Sequence, residues 1–84
     1  MPYRSIDLAA NALKRRAAAD GATVLAADRP AYTGGGRYAL LRVTGTGRRG
    51  KPWVACESAD LDGVELPRAE WAAACARIWG LVPA

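Results

Sequence analysis

Residues 45–52 read G-T-G-R-R-G-K-P and carry the residue types with which this chain could most readily hold an anion. By letter they match the dinucleotide fingerprint G-x-G-x-x-G. They also match the phosphate loop G-x-x-x-x-G-K-[ST], except that Pro52 stands where a hydroxyl would meet magnesium. Both motifs open a helix whose first N–H groups hold the phosphates. Here residues 53–57 predict a strand, so the segment is interpreted as a basic hairpin tip without a nucleotide cofactor.

Nucleophilic catalysis lacks its usual base, because the chain contains no histidine. Ser5 and Ser58 therefore have no histidine partner, which excludes a hydrolase of the serine–histidine type. The commonest metal ligand is missing for the same reason. Cys56 and Cys75 are too few for a structural zinc site or a disulfide scaffold, and their apolar neighbours predict two buried thiols. We expect a protein that is not an enzyme and uses no cofactor and no metal.

An acidic stretch precedes the last predicted helix. Asp60-Leu61-Asp62-Gly63 resembles the start of a calcium loop, but the closing glutamate at its required spacing is absent. Residues 58–66 are therefore predicted to form a polar connection.

Charge is unevenly distributed along the chain. Residues 1–52 carry ten Lys or Arg against three Asp, a net of +7, and residues 53–84 carry two Arg against five Asp or Glu, a net of −3, which sum to +4. This asymmetry favours an acidic partner on one face. Lys14, Arg15 and Arg16 contribute to it, but their place at a helix end is also explained by the helix dipole.

Two helices are predicted near the ends of the chain. Ser5 predicts an N-cap, and the apolar spacing that follows predicts a helix over 5–20, closed by Asp20-Gly21. Pro67 predicts the first position of the last helix, and Gly80 predicts its end. The apolar stripes are Ile6, Ala9, Ala10, Leu13 and Ala17 in the first helix, and Trp71, Ala74, Cys75 and Ile78 in the last, with Trp79 at the edge of that stripe.

Three strands are predicted between these helices, over 22–27, 38–44 and 53–57, with a loop at 28–36. The middle strand alternates, so its side chains divide between two faces. One face carries Tyr38, Leu40, Arg42 and Thr44, and the other carries Ala39, Leu41 and Val43.

The element order α-β-β-β-α predicts one α+β domain over 1–84, with a three-stranded antiparallel sheet packed against two helices and one open sheet face. Alanine accounts for 19 of the 84 residues, so the core is thin and the tryptophans must contribute much of the burial. The order resembles that of double-stranded-RNA-binding domains, which implies a basic cluster at the start of the second helix. Here that helix starts Pro67-Arg68-Ala69-Glu70, so the element order alone is shared.

A membrane partner is not expected, because no run approaches the roughly 20 apolar residues of a spanning helix. Asp7 and Asn11 interrupt the apolar region that a signal peptide would need. The sequence predicts a cytoplasmic protein.

The preferred functional hypothesis is a non-catalytic protein-interaction module. It would be a small inhibitor or adaptor, of the kind encoded by phages and mobile elements, that docks a basic hairpin on an acidic partner such as host nucleic-acid-handling (defence) machinery. The alternative is direct RNA or DNA binding through the same cations and exposed aromatics. A homodimer through an open strand edge is a further expectation. The candidate binding residues are Arg37, Arg42, Arg48, Arg49, Lys51, Tyr38 and Trp53.

Overall fold

The computed structural model describes residues 3–32, 38–61 and 66–81. Helix α1 and helix α2 flank three strands, which confirms the predicted order α-β-β-β-α. The strands form one antiparallel sheet in the order β1-β2-β3. The bounds are α1 Ile6–Ala19, β1 Thr23–Tyr32, β2 Tyr38–Thr46, β3 Pro52–Asp60 and α2 Arg68–Trp79, with a short 3₁₀ turn at Arg48–Gly50.

Helix α1 begins and ends where the sequence predicts. The hydroxyl of Ser5 accepts a hydrogen bond from the Leu8 N–H at 3.2 Å, which satisfies one of the unpaired donors at the helix start. Asp20 is the C-cap residue, and Gly21 follows it with a φ of +64°. The predicted apolar stripe is buried at Ala9, Ala10, Leu13 and Ala17.

The two faces of β2 are those predicted from its alternation. Ala39, Leu41 and Val43 are buried, and Leu41 and Val43 join one hydrophobic cluster with buried residues of both helices. Leu40 and Arg42 are half-buried on the opposite face. Strand β3 pairs with β2 without a register shift, and its Ala55 and Ala59 lie on the helix-covered face.

Strand β1 is longer than predicted. The loop predicted from residue 28 begins later, because β1 continues through Pro30 to Tyr32. Two register shifts, between Val24 and Ala26 and between Asp28 and Ala31, interrupt its pairing with β2. The second shift lies beside Pro30, whose missing N–H is tolerated in an edge strand at an irregularity. The rest of the predicted loop, residues 33–36, lies outside the described residues.

Strand β3 also extends beyond its predicted end at Glu57. The additional residues have a partner far away in sequence: Tyr3 donates its N–H to the Ser58 carbonyl at 2.9 Å, and the Asp60 N–H donates to the Tyr3 carbonyl at 2.6 Å. Residues 58–60 also continue the pairing with β2, opposite residues 40–38, so the predicted polar connection is wrong for residues 58–60.

Helix α2 begins at Arg68, with Pro67 as its N-cap residue, and ends at Gly80 in the left-handed conformation. Trp71 and Cys75 are buried, and Trp79 is half-buried against the core. Among the described residues, neither the Trp71 nor the Trp79 indole nitrogen has a hydrogen-bond acceptor. The two indoles therefore contribute apolar area while their buried donors carry a desolvation cost. In the described part of the chain, neither helix combines the length and hydropathy that crossing a membrane requires.

Gly45 lies so close to the backbone of β1 that no larger residue fits at this position. A Cβ at this position would lie 2.0 Å from the Thr23 carbonyl oxygen, so β1 could not stay where it is. We predict that Gly45→Ala lowers the free energy of unfolding by about 2 kcal/mol or more, measured by urea denaturation. Gly47→Ala is the matched control, because its Cβ would meet the nearest atom at 3.5 Å. Equal losses for the two variants would contradict the role assigned to Gly45.

Candidate interaction site at the hairpin tip

The β2–β3 connection is a tight turn with left-handed backbone at both central residues. Arg49 has a φ of +60° and Gly50 a φ of +71°. The Lys51 N–H donates to the Arg48 carbonyl at 3.3 Å, and the Gly47 N–H donates to the Lys51 carbonyl at 2.7 Å. Positive φ at both central positions is the requirement of a type I′ turn, whose twist matches that of the flanking strands. The predicted hairpin tip is therefore a defined turn.

The cations of this turn, Arg48, Arg49 and Lys51, form what we call the basic tip. All three are exposed, and none forms an ion pair with the residues that the structure describes. Other arginines are engaged: Arg16 pairs with Glu57, and Arg77 pairs with Asp7 at 3.0 Å. The basic tip thus concentrates cations whose charge is not balanced within the described chain.

Trp53 anchors the basic tip to the end of α1. Its indole Nε1 donates to a carboxylate oxygen of Asp20, the C-cap residue, at 3.0 Å. The side chain of Arg48 lies over Gly21, where an added Cβ would be 3.0 Å from Arg48 Nε. These contacts place the tip and the C-terminal end of α1 at the same end of the molecule. Trp53 is half-buried and packs against the core, and its N–H is engaged in an intramolecular hydrogen bond.

Arg42 is separated from the basic tip and is paired. Its guanidinium donates through Nε to one oxygen of Asp28 at 2.9 Å and through Nη2 to the other. Bidentate pairing with a half-buried carboxylate raises the pKa of Arg42 through the hydrogen bond first and the charge second. The register that places Asp28 opposite Arg42 explains the pair. Arg42 lies four residues from the end of β2, about 14 Å along the strand.

Another candidate residue, Tyr38, lies far from the basic tip. Tyr38 begins β2, eight residues and about 27 Å from the strand's other end. Arg37 lies outside the described residues. The structure therefore brings together Arg48, Arg49, Lys51 and Trp53 from the predicted set.

Helix α1 adds two exposed cations near the same end of the molecule. Lys14 and Arg15 are exposed, whereas Arg16 is bound to Glu57 of β3. Lys14 is six residues from Asp20, which is about 9 Å along the helix. Helix-dipole compensation explains why these cations lie at the end of α1, and the contact between Trp53 and Asp20 brings that end of the helix beside the hairpin.

The two cysteines have different environments. Cys75 is buried in α2, as predicted, but the prediction for Cys56 is wrong because it is exposed on the sheet face opposite the helices. Burial raises the pKa of the Cys75 thiol, and the charge of Asp28 adds a smaller effect in the same direction. Both cysteines are free thiols.

We predict that one thiol per folded chain reacts rapidly with Ellman's reagent. The reactive species is the thiolate, so the exposed Cys56 should react, while the buried Cys75 with its raised pKa should react only as the protein opens. Cys56→Ser should remove the rapid phase. A rapid phase that persists in this variant would contradict the assignment.

Within the described residues, no group of three or more Cys, Asp or Glu is arranged to hold a metal ion. Comparison with protein families, with curated proteins and with solved structures found no match for the chain. The site is therefore interpreted from its own geometry.

Arg49 occupies a backbone conformation that glycine adopts more easily. A left-handed residue with a Cβ costs about 1 kcal/mol. The entropy that glycine gains in the unfolded chain offsets about half of this, so we predict that Arg49→Gly raises the free energy of unfolding by about 0.5 kcal/mol. Lys51, an exposed cation of the same turn with a φ of −74°, provides the control. Lys51→Gly should lower the free energy of unfolding by about 0.5 kcal/mol, since glycine gains entropy in the unfolded chain. A loss of stability in Arg49→Gly would remove the argument that Arg49 is strained.

Proposed function

We propose that this protein is a non-catalytic interaction module that docks its basic tip on an acidic protein surface. The observation that carries the proposal is Arg49, which stands at a left-handed position and has an exposed side chain without an ion pair in the described chain. Backbone strain retained at an exposed position points to a role for the side chain, because the fold itself would be better served by glycine.

The way the basic tip is held supports the same proposal. Trp53 and Asp20 tie the hairpin to the end of α1, so the cations sit on a braced turn. A braced turn loses little conformational entropy when it docks, which favours affinity. Guanidinium groups also suit carboxylates, because their planar donors can bind both oxygens.

An acidic protein surface fits the tip better than a nucleic acid does. Single-stranded nucleic acids are held by aromatic platforms beside cations. The nearest aromatic, Trp53, is half-buried and its N–H is bonded to Asp20, and Tyr38 begins the far end of β2. Direct RNA or DNA binding is the alternative that the experiments below separate from protein docking.

Affinity capture from a cell lysate, followed by titration of the captured protein, tests the proposal. Arg48→Ala/Arg49→Ala removes two tip cations and should weaken binding of the captured protein at least about tenfold, because charge pairs at an interface are lost. Lys14→Ala/Arg15→Ala is the matched control, since it removes two exposed cations from α1 and should have a smaller effect. Thermal unfolding of each variant separates loss of binding from loss of fold.

A parallel anisotropy titration uses labelled single- and double-stranded DNA and RNA at about 50 and about 200 mM salt. Sub-micromolar binding that falls steeply with salt, and that the tip variant loses, would replace the proposal with nucleic-acid binding. Equal capture of the same protein by wild type and tip variant would refute a role for the basic tip.

A further inference from the structure

The two edges of the sheet differ in how well they are protected against pairing. Strand β1 carries two register shifts and Pro30, features that discourage another strand from adding. Strand β3 is regular throughout its pairing with β2. Among the described residues, Tyr3 is the one whose backbone bonds to the outer edge of β3, at Ser58 and Asp60 near one end of the strand.

The hydrogen bonds of Tyr3 identify which backbone groups of β3 point outward. The Ser58 carbonyl and the Asp60 N–H are directed away from β2, toward Tyr3. Backbone direction alternates along a regular antiparallel strand, so the N–H and C=O of Val54 and Cys56 also point outward. The Pro52 carbonyl does the same, but Pro52 has no N–H to offer. Along the first half of β3, the described residues leave this row of donors and acceptors without a partner.

Two residues in this part of β3 also have exposed side chains. Val54 is 60% exposed, although it is a β-branched residue in a strand, and Cys56 is exposed beside it on the same face. Val54 pairs with Thr44 of β2 on the sheet face that the helices leave open. The edge thus offers both backbone hydrogen bonds and an apolar contact.

We propose that β3 pairs in antiparallel orientation with β3 of a second copy of this chain, about a two-fold axis at Val54. The segment left free by Tyr3 runs from Lys51, where the turn ends, to Glu57, where the Tyr3 contact is about to begin. Its midpoint is Val54. A register centred there uses the whole free segment of both copies without displacing Tyr3.

The cross-strand pairs in this register are compatible. Val54 meets Val54 of the second copy, and Lys51 lies opposite Glu57, which is already paired with Arg16 of its own chain. The two Val54 residues exchange two hydrogen bonds, and each Cys56 N–H donates to the Pro52 carbonyl of the other copy. The interface therefore has four interchain hydrogen bonds, because Pro52 has no N–H to donate to the Cys56 carbonyl of the other copy.

The same register keeps the two basic tips apart. Gly50 of each copy is displaced from the axis by four residues, so the tips lie about 27 Å apart along the strands. This separation exceeds the screening length of about 8 Å at physiological salt, and the tips should not repel each other strongly. Lys51 lies within the paired segment, whereas Arg48 and Arg49 lie outside it, so failure of the function proposed for the basic tip would leave the association intact.

Sedimentation equilibrium from about 1 to about 500 µM measures the association directly. We expect a mass that approaches twice the 8.9 kDa of one chain as concentration rises. Val54→Lys places two cations opposite each other and should raise the dissociation constant at least about tenfold. Leu25→Lys is the matched control, because Leu25 is also 60% exposed and belongs to the protected strand β1, and it should leave the dimer intact.

Val54→Pro is a second disrupting variant that addresses the backbone. It removes an outward N–H that does not bond to β2, so thermal unfolding should still show a folded chain while the dimer is lost. A monomer at every concentration in the wild type would overturn the proposal. A dimer that Leu25→Lys disrupts as strongly as Val54→Lys would also overturn it.

Thiol trapping tests the register. In a Cys56→Ser background, Val54→Cys would set two thiols in a directly opposed pair, with Cα atoms about 5.5 Å apart, within disulfide range. Exchange with oxidised glutathione should link them and release two molecules of reduced glutathione. The wild-type Cys56 thiols would lie two residues to either side of the axis, about 14 Å apart along the strands, and should not link. Crosslinking of wild type with the same efficiency would exclude the Val54-centred register.

Discussion

Close packing of α1 on an alanine-rich sheet face is the constraint on which the rest of the structure depends. Ala9, Ala10 and Leu13 have no exposed surface, and Leu41 and Val43 beneath them have none either. Small side chains let helix and sheet approach closely and gain dispersion contacts, but each buried alanine removes little apolar area from water. The few large residues must therefore fit without gaps, and the position of α1 over β2 and β3 is closely specified.

That position determines what lies at the two ends of the molecule. At one end, α1 terminates beside the β2–β3 turn, so Asp20 receives the Trp53 indole N–H and the basic tip is braced. At the other end, Tyr3 precedes α1 and lies beside β3, so it covers part of an edge that the other described residues leave open. The tip and the free half of β3 are consequences of the same packing, although they suit different partners: a charged surface and an extended backbone.

The features that the sequence predicted correctly are those encoded within one element. The spacing from Ile6 to Ala17 defines the α1 stripe, and the alternation around Leu41 defines the two faces of β2. Features that depend on residues distant along the chain were not predicted. The bonds between β3 and Tyr3 join residues far apart in the sequence, and the ion pair of Arg42 needs a register that sets Asp28 opposite it. The burial of Cys56 was wrongly predicted for a similar reason. Cysteine among apolar neighbours is typical of a core residue, but the helices cover the other face of the sheet and leave Cys56 exposed.

The position of Trp53 also gives the molecule an internal optical reporter. Its ring lies against the turn, 3.8 Å from the point where a Cβ on Gly47 would stand, and its N–H is bonded to Asp20. Indole emission responds to the hydrogen bonding and the local field of the ring. An anion that settles on the basic tip would therefore change a signal that originates beside it, over a background from Trp71 and Trp79 in α2. Trp53 fluorescence would in this way report binding at the basic tip without an added label.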